Sequence, residues 1–406
     1  MAFIQIQQNL LLISVFLFQQ SQGFTFTSES SFSIEKGTGN QNCESYACKD
    51  PAQNYSKNTC LYYNTEFSMW YADPCSKSSQ YCKQDTQNAN DPHANYTCET
   101  YTSFNAALPG EYCEKIYMCN TAYTSGCSNN VCKAISSLDQ ACQNTKQCES
   151  GTYCYIPDQA TQGTCQAQIP IDGECTSYKL CANNAICNYT STVNNVPVGK
   201  CKAFGSFNNH DYVGSCDFLD GIHTFGYNDL CPSGYCAPSG NSYMCLESVT
   251  SSQGLPVLCN NDPINMINAT TGCTSNKDSL LGVSVTSACD CANNYNAEAY
   301  CNLFSGDPTM AKFRQYLTKW TQSKEILKCN LMGRYDLLCV KAHWDKDNAA
   351  AYTYYFYAAY FYPEIVEADD CVLSVTNYGY KMAKKAYNDD LASLIGVSFL
   401  VMMALH

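Results

Sequence analysis

Apolar and polar positions divide the chain into three kinds of stretch. Apolar residues run together at Leu10–Phe18 (LLLISVFLF) and again over the mostly apolar, uncharged Leu391–Leu405. From Cys43 to about Gly306, Ser, Thr, Asn and Gly fill the gaps between cysteines without helical periodicity. That pattern predicts short β-hairpins and irregular loops. Beyond Gly306 the period becomes helical. Asp307 can cap a helix whose first position suits Pro308, and Met310, Phe313, Leu317 and Trp320 follow at the spacing of one buried face. EILKCNLMGRYDLLCV (Glu325–Val340) predicts a second helix. AAAYTYYFYAAYFYP (Ala349–Pro363) predicts a third, ended by Pro363, whose eight aromatics either pack all round or leave a sticky face.

Cysteine spacing refines the middle. A loose first group (Cys43, Cys48, Cys60, Cys75, Cys82, Cys98) precedes four quartets: Cys113, Cys119, Cys127, Cys132; Cys142, Cys148, Cys154, Cys165; Cys175, Cys181, Cys187, Cys201; and Cys216, Cys231, Cys236, Cys245. The second and third quartets share a C-x5-C-x5-C frame with a longer gap before the last cysteine. Small turn phrases (LPGEYC, SLDQAC, IDGEC) introduce the first three. These are repeats of about 30–35 residues. Such units are too short to bury a useful core, so two disulfides must stabilise each, and each should touch mainly its neighbours. A quartet allows three pairings, all open here. In QCESGTYC (Gln147–Cys154), Gly151 reads as a turn residue and Tyr153 as cover for a disulfide.

The predicted fold class is therefore small disulfide-rich repeats of short β-hairpins and loops in tandem, followed by a small, mainly α-helical domain. The expected divisions are a signal peptide (1–23), a polar segment (24–42), a first cysteine-rich module (43–110), quartet repeats (111–250), a cysteine-rich connector (251–305), a Tyr-rich helical domain (306–387) and a hydrophobic tail (388–406). Parity adds a constraint. Twenty-seven cysteines lie in Cys43–Cys301 and three beyond (Cys329, Cys339, Cys371), so full pairing needs at least one bridge between the repeats and the helical domain.

Thirty cysteines, roughly 7% of the chain, require a compartment that permits disulfides. The apolar run at Leu10–Phe18 and the small residues at Ser21 and Gly23 predict a signal peptide cleaved after Gly23, although no Lys or Arg precedes the run. Sequons mark Asn54, Asn95, Asn188 and Asn268 as glycosylation candidates. The C-terminal run is shorter than the ~20 residues that span a bilayer and resembles a GPI-attachment signal, with Asn388 as the lipid attachment residue. The formal charge of −13 argues against nucleic acid as a partner.

Two resemblances follow. CQNTKQCESGTYC (Cys142–Cys154) resembles the N-terminal cysteine-rich domain of Dickkopf-like secreted proteins, a likeness that reaches to Cys201. The C-x-C pair, the AYC and the GD of ACDCANNYNAEAYCNLFSGDPTMAKF (Ala288–Phe313) resemble the C-terminal region of cysteine-rich surface proteins of ciliated protozoa. The second resemblance implies location and architecture rather than a reaction.

Chemistry-bearing patterns are sparse. The chain has no C-x2-C pair, no H-E-x-x-H, no G-x-S-x-G and no phosphate-binding G-x-x-x-x-G-K. Catalytic residues, metal ligands and cofactors are all expected to be none. Tyr62, Tyr63, Trp70 and Tyr71 could stack on sugars, but packing around neighbouring disulfides is the simpler account. The expected function is that of a non-enzymatic surface protein of the coat, recognition or adhesion type. It would be held by a C-terminal lipid anchor on the extracellular face of the plasma membrane, its repeats forming a stalk, its partner an unknown extracellular protein or glycan. A secreted Dickkopf-like ligand or receptor-binding module is the alternative. A hydrolase or redox enzyme, the third reading, requires a deep polar pocket and a reactive thiol or a histidine–acid pair.

Overall fold

The computed structural model describes residues 43–49, 58–77, 80–84, 93–100, 107–113, 118–157, 160–214, 216, 226–227, 229–240, 242–259, 273–377 and 379–388. The fold is a tandem of small, mainly antiparallel sheets closed by disulfides, followed by a helical region, as the pattern predicts. Module 1 (43–100) is a five-stranded sheet. Its strands β1 (Ser45–Cys48), β2 (Thr59–Asn64), β3 (Met69–Ala72), β4 (Gln80–Gln84) and β5 (Tyr96–Thr100) lie in the order β1-β3-β2-β5-β4, with only β1 and β3 parallel. Module 2 (107–134) holds the hairpin β6 (Thr124–Ser128) and β7 (Val131–Ala134). Modules 3 (136–167) and 4 (169–203) are three-stranded: β8 (Ala141–Cys142), β9 (Thr152–Tyr155) and β10 (Gly163–Ala167), then β11 (Glu174–Thr176), β12 (Ala185–Val193) and β13 (Val196–Ala203). Module 5 (206–245) uses β14 (Tyr212–Val213), β15 (Gly226–Tyr227), β16 (Tyr235–Ser239) and β17 (Ser242–Cys245). Module 6 (249–303) uses β18 (Cys289–Cys291) and β19 (Ala299–Cys301).

One covalent frame unites all six. Each module carries a quartet in which the first cysteine bonds the third and the second bonds the fourth: Cys60–Cys82 with Cys75–Cys98, Cys113–Cys127 with Cys119–Cys132, Cys142–Cys154 with Cys148–Cys165, Cys175–Cys187 with Cys181–Cys201, Cys216–Cys236 with Cys231–Cys245, and Cys259–Cys289 with Cys273–Cys301. The third and fourth cysteines face each other across a hairpin in every module, as Cys154 faces Cys165 and Cys187 faces Cys201. They do not bond each other. Each instead takes a partner from the chain that precedes the hairpin, which is thereby clamped to it.

The turn phrases are a second shared device. In Leu108–Glu111, Ser137–Gln140, Pro170–Gly173 and Asn208–Asp211 the fourth N–H donates to the first carbonyl at 3.0–3.1 Å. The third residue has positive φ: Gly110 +85°, Asp139 +63°, Asp172 +65° and His210 +68°. This is type II turn geometry, which Gly accepts freely and Asp tolerates. The N–H of that third residue donates to the carbonyl of the module's last cysteine at 2.7–2.9 Å. Gly151 is likewise a turn residue at φ +80°, and Tyr153 beside it is buried.

The helical region (307–388) contains α1 (Pro308–Gln322), α2 (Leu337–His343), α3 (Lys346–Tyr360), α4 (Tyr362–Ile365) and α5 (Asp370–Thr376), followed by a helical segment over 379–388. The first helix starts at Pro308 as expected, with Phe313 and Trp320 buried. Asp307 does not cap it with its side chain; Oδ1 and Oδ2 accept instead from the N–H groups of Ser251 and Phe304. The expected single helix over Glu325–Val340 is broken into two 3-10 turns (Lys324–Lys328, Leu331–Gly333) and α2. The chain becomes extended at Cys329 and Asn330 and turns back so that Cys329 reaches Cys339. Pro363 does not end the Tyr-rich helix. That helix stops at Phe361, and Pro363 lies in the first turn of α4. The aromatics of α3 pack nearly all round: Tyr352, Phe356 and Tyr357 are buried, Tyr354 and Tyr355 half-buried. Phe313 packs on Tyr352 and Phe356 with ring centroids 5.5 and 5.8 Å apart.

Candidate functional site

The expectation of units that touch mainly their neighbours, strung as a stalk, is not met. Every module also contacts the helical region, which serves as a hub. Module 1 is bonded to it by Cys48–Cys371 and shares a core with it, Tyr46 and Trp70 packing in one cluster with Val372 and Val375. This is the crossing bridge that parity requires. A further bond, Cys43–Cys291, ties module 1 to module 6. Module 6 meets the hub through Tyr300, whose hydroxyl donates to Glu367 at 3.1 Å. Module 5 meets it through Arg314, whose guanidinium donates to the carbonyls of Pro232 and Cys231.

Modules 2 to 4 are joined to the hub by buried polar side chains. Asn183 of module 4 is fully buried; its Nδ2 donates to Ile326 O at 2.9 Å and Cys329 O at 2.8 Å. Asn330 of the hub is equally buried and reaches the other way, to Thr145 O at 3.0 Å and Cys148 O at 2.7 Å of module 3. The type II turn of module 2 is seated against the stretch 328–343. Pro109 O accepts from Asn330 N, Gly110 O from His343 Nε2 at 2.6 Å, and Tyr112 N donates to Leu338 O. A Cβ on Gly110 would come within 2.5 Å of Lys328 O, so the close approach as well as the positive φ requires glycine. Glu111 completes the contact with its carboxyl buried beside Asp336.

Fifteen disulfides account for all thirty cysteines, and none is free. Trios of sulfurs, such as Cys142, Cys148 and Cys165, do lie within 4.8 Å of one another. They belong to crossing disulfides and so are not thiolates available to a metal. The eight disulfide candidates of the second and third quartets all pair within their own modules.

Among the proposed modification sites, Asn95 is exposed. Asn188 is half-buried, its Oδ1 accepting from Gly214 N at 2.8 Å. Asn388 is exposed at the end of the segment 379–388, which is held to the hub by Tyr387 stacked on Tyr354 at 4.8 Å. Asn54, Asn268, the signal peptide (1–23), the polar segment (24–42) and the tail beyond Asn388 lie outside the described residues. Among the described residues no helix is long and apolar enough to cross a membrane.

The aromatic set near Cys60–Cys75 is mostly packing. Trp70 is fully buried with its indole N–H on Glu44, and Tyr63 stacks on His93 at 3.6 Å. Tyr62 and Tyr71 stack on each other across β2 and β3 at 5.4 Å. Among the described residues two histidine–acid pairs are present, and both acids also receive donors that build the fold. Glu44 accepts from His93 at 3.1 Å and from Trp70. Asp278 accepts from His210 at 3.2 Å and from the N–H groups of Glu247, Leu280 and Leu281. Burial raises the Asp278 carboxyl, but these four donors outweigh it and hold the group below the usual aspartate range. An open recess of about 340 Å³ lies elsewhere, between module 5 and α1, lined by residues including Pro232, Ser305, Arg314 and Lys319 and by no histidine.

Compared with protein-family models, with curated proteins and with solved structures, the chain matches none. Its architecture therefore speaks only through its own geometry. Dense disulfide bonding fits an extracellular, cysteine-rich protein. The buried asparagines at the junctions with the hub were not legible as such, because an Asn between turn residues reads as one more turn former.

Proposed function

We propose that the chain is a non-enzymatic surface protein that acts in the coat, in recognition or in adhesion. It is held on the extracellular face of the plasma membrane by a lipid attached at Asn388. The observation that carries this reading is the use of the cysteines: all thirty are paired, twenty-four closing modules, four fixing modules to the hub or to each other, and two closing a loop inside the hub. Such a body resists unfolding and proteolysis in an oxidising exterior. The modules leave large apolar side chains of strands and turns in water, among them Tyr212, Val193 and Leu138 at 61, 55 and 46% exposure. These support contact with an extracellular protein or glycan. Because every module meets the hub, the recognition surface is the outside of a compact assembly rather than a stalk.

Treating intact cells with phosphatidylinositol-specific phospholipase tests the anchor. Release of the protein into the medium is expected, and replacing Asn388 with a bulky Gln should abolish surface retention. Full retention after a digest that frees a control GPI protein sinks the lipid anchor. Protein found in the medium without digestion favours a secreted ligand.

A further inference from the structure

Glu111 and Asp336 raise a question that the export reading leaves open. Glu111 belongs to the turn phrase of module 2 and is fully buried where that turn meets the hub. One carboxylate oxygen, Oε2, accepts from Leu108 N at 2.7 Å. The other, Oε1, is buried and receives no protein donor. It points over Gly333, where an added Cβ would lie 2.3 Å from it and 3.4 Å from Asp336 Oδ2, so both acids converge on one spot. Neither carboxyl is in an ion pair among the described residues. Lys146 of module 3 acts on both from a distance. His343, on the neighbouring face of the hub, is engaged with Gly110 O, and burial pushes its imidazole below the usual histidine range.

Two carboxylates that converge at an interface, Glu111 fully and Asp336 partly buried, repel each other, and neither can donate a hydrogen bond while ionised. We infer that Glu111 and Asp336 share a single proton, and that this O–H···O bond is a pH-sensitive catch holding module 2 to the hub. When both acids ionise, the catch becomes a repulsion and the turn 108–111 loosens from the stretch 328–343. Burial is the main cause that raises both groups. Asp336 is pushed up to about 6 and Glu111 rises well above its ordinary value. Since folded values are raised, the contribution of the pair is complete below the ordinary carboxylate range. It falls as Asp336 ionises at about 6, which leaves the single shared proton, and it is lost as pH rises through the raised folded value of Glu111.

Hydrogen–deuterium exchange of the full-length protein tests the catch, read at residues 107–113 and 331–340 and corrected for intrinsic rates. In the wild type, local opening should rise about tenfold per pH unit between the Asp336 titration at about 6 and the raised folded value of Glu111, the signature of one linked proton, and level off above it. Glu111→Gln should flatten that dependence and protect the interface better in alkali. Its amide carries a permanent donor to Asp336 while its oxygen still accepts from Leu108. Asp336→Asn should do the same from the other side, so a folding failure of one variant leaves the test intact. Calcium chloride at millimolar level should change nothing. Opening that is independent of pH, variants that follow the wild-type slope, or protection that appears only with calcium would each overturn the shared proton. None of these readouts depends on where the protein is exported.

Discussion

The knots and the hub solve one problem by opposite means. Module 3 has Cys142, Cys148 and Cys165 as its buried centre, and module 4 has Cys175, Cys181, Ala185 and Cys201. The hub buries Phe313, Trp320, Tyr352 and Phe356, with a single disulfide, Cys329–Cys339, inside it. A unit of about 30 residues cannot remove enough apolar surface from water to offset its chain entropy, so covalent closure must restrict its unfolded state. The hub is long enough to use aromatic burial instead. Placing the second kind of region beneath the first gives each knot an apolar and hydrogen-bonded floor that it could not build alone. Reductant should therefore act first on the knots, and denaturant first on the hub.

The largest effect that separates the two is expected at Trp320. It is fully buried, its Nε1 donates to Arg334 O at 2.7 Å, and it packs on Trp344 at 5.3 Å. Trp320→Ala should cost about 3–5 kcal/mol in urea unfolding with disulfides intact. All modules should lose protection at their hub-facing turns while the knots keep their hairpins. If the hub and the knots melted together, the two regions would not be stabilised separately.

Next is the second bond of module 3. Cys148 and Cys165 are 17 residues apart in sequence, a loop for which closure stabilises by about 3 kcal/mol. The double variant Cys148→Ala, Cys165→Ala should open module 3 alone, seen as lost exchange protection over 136–167 with the hub unchanged. Its smaller companion is Asn183→Ala, which strands the carbonyls of Ile326 and Cys329 in a buried interface. A cost of about 2–3 kcal/mol is expected, detectable as a lower urea midpoint and faster exchange at both sides of the junction. An unchanged midpoint would mean that water takes over both carbonyls and that the knot is docked by packing alone.

How much of this was legible differs between the same two regions. The quartets could be read because their bonds are local, 12 to 20 residues apart in modules 3 and 4, and leave a repeating frame. Modules 1 and 6 contain the same quartet but also carry Cys43, Cys48 and Cys291. Those three take part in bonds 248 and 323 residues long, and they hid the frame. Parity alone showed that a crossing bridge must exist. It could not show which cysteine crosses, since counting carries no distance. In the hub, periodicity located α1 and the Tyr-rich helix, yet it read Glu325–Val340 as one helix. Apolar spacing does not register the turn at Cys329 and Asn330 that lets the hub touch modules 2 and 3. Glu111 looked like one more polar turn residue. Its burial is a property of the docked surface and has no local signal.

The smallest expected effect gives the sharpest contrast, because it reverses the sign of the catch. Asp278 is buried like Glu111, but four donors converge on it from His210, Glu247, Leu280 and Leu281, and its carboxyl is held below the usual range despite its burial. A depressed folded value means that its contribution is complete above the ordinary aspartate range and disappears as pH falls through the lower folded value. Asp278→Asn keeps the shape and one accepting oxygen but removes the charge, so a loss of about 1 kcal/mol is expected at neutral pH. In strong acid, where the wild-type carboxyl is protonated too, the two proteins should converge. Glu111→Gln should part from the wild type in the opposite direction, gaining as pH rises. Unfolding midpoints of both variants across an acid-to-alkaline series test the pair together. A convergence of Asp278→Asn with the wild type in alkali rather than acid would show that burial, and not the ring of donors, sets the ionisation of a carboxyl in this molecule.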